Sequence, residues 1–214
     1  MVAGLGNKSA SDYCDIEMLN ERLENARVAA GAAINAMKGF KIDTVIFEDL
    51  PNCSRAIAEG AYLAQWRYRK TDQEKMPQNI QLKEESDVNS EWDKGMHAAR
   101  AQNWARFLME TPANLMTPQI FCHMVTEMLE PLGVKCETFG EDWIKEEGMG
   151  AFWSVAKGSD EEPKFLQLEY NGPTEGNGKT VCLVGKGVTF DAGGISIKVL
   201  IQKSYRNVGK TLKF

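Results

Sequence analysis

Residues 184–198 read V-G-K-G-V-T-F-D-A-G-G-I-S-I-K, which places Lys186, Asp191 and Lys198 among four glycines. Asp191 is a hard oxygen donor that suits a divalent cation and can bridge two. A lysine amine ligates a metal only when deprotonated, which burial beside cations promotes. A lysine that stays charged polarises a carbonyl oxygen. Glycines let backbone crowd a ligand or a metal. The run also follows an apolar stretch, and in α/β sheets sites form outside the carboxyl ends of strands. Spacing alone leaves a second reading open, a strand followed by a glycine-rich turn with exposed charges.

Other familiar chemistry fails on the residues. A phosphate-binding loop needs G-x-x-x-x-G-K-[ST]. Pro173 stands where Gly178-Lys179-Thr180 needs its first glycine, and Ser204 does the same to Gly209-Lys210-Thr211. His97 and His123 are the only histidines, and no H-E-x-x-H joins them. Both read as helix-surface or core residues. No G-x-S-x-G elbow marks a serine nucleophile.

The elements that must position the motif alternate in type. Leu19, Leu23, Ala26, Ala30, Ala33 and Met37 recur at helical steps, so residues 15–38 predict an amphipathic helix stopped by Gly39. Residues 44–47 are apolar and β-branched, a strand. Ser54 caps a second helix, and residues 79–83 form an edge strand. A helix of about 91–110 follows, with Ser90 as its cap and Pro112 as its end. It reads equally as an interdomain connector or as a helix packed within one domain. Thr117-Pro118 opens another helix, running to Leu132 with Gly133 as stop. Residues 134–139, 164–170 and 181–184 predict strands, and 143–148 a short helix. Such alternation gives an α/β architecture with at least partly parallel sheets.

Composition narrows the class. The chain has 214 residues, 43% hydrophobic and 26% charged, with a net charge of −5 and a pI near 5.3. That acidity argues against a nucleic-acid partner. No apolar run approaches the ~18 residues of a membrane span, and the start lacks a signal peptide's pattern. Five widely spaced cysteines without C-x-x-C argue against a disulfide framework or zinc ribbon and read as free buried thiols in a reducing compartment. The expected location is cytoplasmic, with neither membrane nor nucleic acid as partner.

Further blocks accompany the 184–198 stretch: Met109-Glu110-Thr111-Pro112-Ala113-Asn114 with Met116-Thr117-Pro118, the run 154–159 (S-V-A-K-G-S), Glu59-Gly60-Ala61 and the run 2–6 (V-A-G-L-G). Together they resemble the leucyl aminopeptidases, the cytosol aminopeptidase family of two-metal exopeptidases, across residues 1–198. The resemblance implies a partial, macro-like amino-terminal α/β domain over 1–90 and a connecting helix over 91–110. It implies the first part of an α/β metallo-exopeptidase domain over 111–198, followed by a basic tail over 199–214 outside the family pattern. It implies two divalent cations, zinc or manganese. By position Lys186 resembles the amine ligand of one metal, Asp191 the carboxylate bridging both, and Lys198 the electrophile that stabilises an oxyanion. Thr189, Ser196 and the glycines would shape the loop.

The resemblance also implies what to look for beyond the motif: a further Asp soon after the second lysine, then an Asp and a Glu, and an arginine holding a bicarbonate-like base. After Asp191 the sequence has no acidic residue, and the tail carries four basic ones. Two of the five expected protein ligands are identifiable. The expectation is therefore a metalloaminopeptidase removing amino-terminal residues from peptides, shortened at both ends, with little activity by itself and a hexameric intact form. The alternative is a non-catalytic fragment that binds or regulates full-length subunits. The family's amino-terminal domain also resembles ADP-ribose-binding macro domains, but no residue here supports retained binding.

Overall fold

The structure is a computed structural model and describes residues 4–6, 13, 15–16, 18–48, 50–83, 89–172, 178 and 180–190. The chain divides into two compact units, Met1–Pro112 and Ala113–Phe214.

In the first unit, helix α1 (Glu21–Ala36) begins later than its apolar periodicity predicts. Asn20 captures the Leu23 amide with its side chain at 3.0 Å, and Glu21 and Glu24 sit in the first turn, where the helix dipole favours acids. Gly39 follows with φ +84°, the left-handed conformation that glycine adopts without penalty. Strand β1 (Thr44–Phe47) pairs in parallel with β2 (Asn79–Leu82), with Val45 opposite Ile80. These two residues are the buried ones of their strands. The crossover between them carries α2 (Ser54–Gln65) and a single turn, α3 (Lys70–Gln73), which the sequence reading did not foresee. Ser54 is the first residue of α2 rather than its cap. Cys53 holds the cap position without a side-chain bond, and Ser54 is buried.

Helix α2 is the centre of this unit. Helix α1 packs on it, as does α4 (Asn89–Glu110). Both approaches are close enough to require glycine. A Cβ at Gly60 would stand 2.0 Å from the Arg27 carbonyl oxygen of α1, and one at Gly95 of α4 would stand 2.2 Å from the Arg55 carbonyl oxygen. Glu59 lies beside the first crossing and accepts from Arg27 Nε at 3.2 Å and from Gln102 Nε2 at 2.8 Å. Farther along α4, Asn103 Nδ2 donates to the Tyr62 carbonyl at 2.9 Å and Arg106 donates to that of Leu63 at 3.1 Å. These bonds satisfy carbonyls in the last turn of α2 that have no helical partner. Ile34, Ala58, Ala61, Met76 and Trp92 fill the core between these elements.

In the second unit, Pro118 opens α5 (Pro118–Leu129) and Thr117 caps it, its hydroxyl oxygen 3.4 Å from the Ile120 amide. The helix ends three residues before Leu132. A 3-10 turn at Glu130–Leu132 completes it, and Gly133 closes the turn at φ +82°. Strand β3 (Lys135–Phe139) pairs antiparallel with β4 (Phe165–Glu169). Helices α6 (Glu141–Glu146) and α7 (Gly150–Ala156) fill the connection, α7 unforeseen by the sequence reading. Phe139, Trp143, Phe152 and Phe165 form an aromatic cluster at the strand ends; Phe139 and Trp143 stack at 4.2 Å between centroids. Ile144 of α6 is wholly buried, and Cys122 and Val125 are buried on α5. Burial pushes the Cys122 thiol up.

Residues 181–184 correct an expectation. Their apolar, β-branched run predicts a strand, yet residues 180–190 carry neither helix nor strand. Val181, Leu183 and Val184 are 80%, 91% and 94% exposed. A short β-branched run becomes a strand only when a neighbour supplies ladder hydrogen bonds and a face to cover its side chains, and none of the described strands lies beside this one.

Candidate metal centre

Lys186 is exposed, within the run of described residues that has no regular structure. Asp191, Lys198 and Ser196 lie outside the described residues, and Thr189 is half-buried. The structure therefore gives a position for one of the three motif side chains and no distance among them. The cluster must be judged by the chemistry of its donors. One amine and one carboxylate fit a divalent cation in kind, nitrogen and oxygen being suitable ligands for zinc and oxygen for manganese. The two-cation expectation asks for more anionic donors than the single carboxylate of the motif.

Among the described residues, no group of three or more His, Cys, Asp or Glu side chains could hold a metal instead. His97 on α4 and His123 on α5 are both exposed, as the helix-surface reading expected. Cys53, Cys122, Cys136 and Cys182 are free thiols. The first two are buried and Cys182 is exposed, so the expectation of buried thiols holds for only part of the set.

The other recognised blocks serve the scaffold. Thr111 turns its hydroxyl back on the Phe107 carbonyl at 2.6 Å and closes the last turn of α4. Met116 is 3% exposed and Thr117 caps α5. In the 154–159 run, the Ser154 hydroxyl donates to the Ala151 carbonyl at 2.7 Å, and the Ser159 hydroxyl oxygen accepts from the Glu161 amide at 3.1 Å. These bonds close the end of α7 and the turn after it. Glu59-Gly60-Ala61 is the crossing point of α1 on α2.

One charged contact was invisible to the sequence reading. Glu162, just before β4, accepts from the Glu141 amide at 3.2 Å and from Lys164 Nζ at 2.7 Å. It caps α6 from outside the helix, because Gly140 at the cap position has no side chain to do so. Lys164 and the Glu141 amide hold its carboxyl below the ordinary carboxylate value. Contacts separated by 21 positions leave no local pattern to read.

Comparison with known proteins places this scaffold. The catalytic-domain model of the cytosol aminopeptidase family matches residues 103–207, a span that includes the whole 184–198 motif. The chain is 40% identical over 201 residues to cytosol aminopeptidases of Xenopus tropicalis and of Homo sapiens. Those alignments cover 92% of the chain and 38% of each relative, so the chain spans well under half the length of the relatives it matches. Among solved structures, a tomato leucine aminopeptidase variant superposes with a TM-score of 0.72 at 22% identity, over 89% of this chain and 39% of that one, a likeness of fold. The bottromycin maturation enzyme BotP, in complex with Mn, gives a TM-score of 0.65 at 25% identity, over 80% of this chain and 36% of that one.

Proposed function

The chain belongs to the cytosol aminopeptidase family, and on that premise we propose that it carries part of a metal-dependent aminopeptidase that removes amino-terminal residues from peptides. The observation that carries this reading is the family match over 103–207, because it takes in all three chemistry-bearing residues of the glycine-rich stretch. Lys186 would offer its deprotonated amine and Asp191 its carboxylate to divalent cations. Zinc or manganese, if held there, would supply a nucleophilic water at neutral pH. Lys198, kept charged, would stabilise negative charge on the carbonyl oxygen under attack. Gly185 and Gly187 leave the backbone beside Lys186 without side chains that would crowd the ligand. A cytoplasmic location and a homo-oligomeric, hexameric intact form belong to the same proposal. Among the described residues, no helix is long and apolar enough to cross a membrane.

Two donors leave two dications under-neutralised, so the 214-residue chain is expected to bind them weakly and to turn over slowly. The test is hydrolysis of leucyl-p-nitroanilide with added manganese. Expected is slow, metal-dependent turnover that Lys198→Ala lowers a further hundredfold, the scale of losing one oxyanion donor. Turnover unaffected by a chelator or by that substitution overturns the assignment. Turnover matching a full-length relative overturns the argument from donor number.

A second reading, a non-catalytic chain that binds full-length subunits and alters their activity, is favoured by the exposed apolar side chains of Val181, Leu183 and Val184. Adding the chain to a full-length relative in the same assay separates the two. A change in the relative's turnover that saturates with added chain supports the second reading, and simple additivity removes it.

A further inference from the structure

We draw no further inference here: the strongest candidate, the exposed face of the β1–β2 sheet around Ile46 in the first unit, carries nothing because nothing in the structure shows what covers it.

Discussion

At Gly60 the two helix backbones meet with no room for a methyl group. The nearest atom to a Cβ there is a backbone oxygen, that of Arg27, which cannot rotate away as a side chain would. Gly60→Ala must therefore push α1 off α2. The expected loss is about 1–3 kcal/mol, the usual scale of overpacking. Gly150 is the internal contrast. It starts α7, and a Cβ there meets nothing within 4 Å. Gly150→Ala is expected to be neutral or to stabilise by up to about 1 kcal/mol through helix propensity. Urea unfolding followed by tryptophan fluorescence measures both; equal midpoints for the two variants would remove the close-crossing argument. Glu162 gives a residue-scale pH dependence. Its folded pKa lies below the ordinary 4.5, so its stabilisation is fully present above the unfolded value. It is lost as pH falls through the lowered folded value. Acid unfolding of the second unit should accordingly lose part of its pH dependence below about 4.5 in Glu162→Gln. An unchanged acid profile in that variant would count against the cap on α6.

At the scale of elements, helix α4 shows what sequence could and could not disclose. Its length was readable from the absence of any stop before Pro112, although the helix starts at Asn89 and takes in Ser90, which is therefore not its cap. Its packing was not, because its inward stripe is not apolar. Trp92, Gly95, Ala99 and Asn103 face inward at helical spacing, yet only Trp92 is large and hydrophobic. A contact made by glycine, alanine and a hydrogen-bonding amide leaves little hydrophobic periodicity. The same physics explains the two short helices that were missed: α3 has no buried residue, and α7 none either. Strands β1 to β4 were legible because apolar side chains cluster or alternate with polar ones there. Asn103 tests the reading of α4. It is 8% exposed, donates to the Tyr62 carbonyl and accepts from Arg106 at 3.0 Å. Asn103→Leu keeps the volume roughly constant but leaves that carbonyl unpaired, at a cost of about 1–3 kcal/mol. A double-mutant cycle with Arg106→Met should show coupling of at least about 0.5 kcal/mol, the lower bound for residues in one network. Strict additivity would mean the two side chains act independently.

At the scale of the whole molecule, the described helices and strands precede the motif in the chain. Side-chain bonds fix α1 and α4 to α2, and the β3–β4 pair holds the aromatic cluster of the second unit. The motif lies past β4. Its family resemblance was legible in the quoted sequence blocks, while its geometry depends on atoms that spacing does not specify. Lys186 stands in a run without helix or strand, whereas Arg100 and Arg106 lie within α4. A protease needs an extended, accessible backbone, so trypsin should cut after Lys186 well before it cuts after either arginine. The same bond reports on metal. If the Lys186 amine ligates a cation jointly with Asp191, manganese withdraws that side chain from the trypsin pocket and slows the cut. Lys157, exposed at the end of α7 and outside the motif, is the reference that cancels any effect of manganese on trypsin itself. Mass spectrometry of timed digests should show the ratio of cleavage at Lys186 to that at Lys157 falling as manganese rises. Asp191→Asn, which removes the only carboxylate of the motif, should abolish the fall. A ratio that ignores manganese in the unsubstituted chain would mean that Lys186 holds no metal here, whatever the peptidase assay returns.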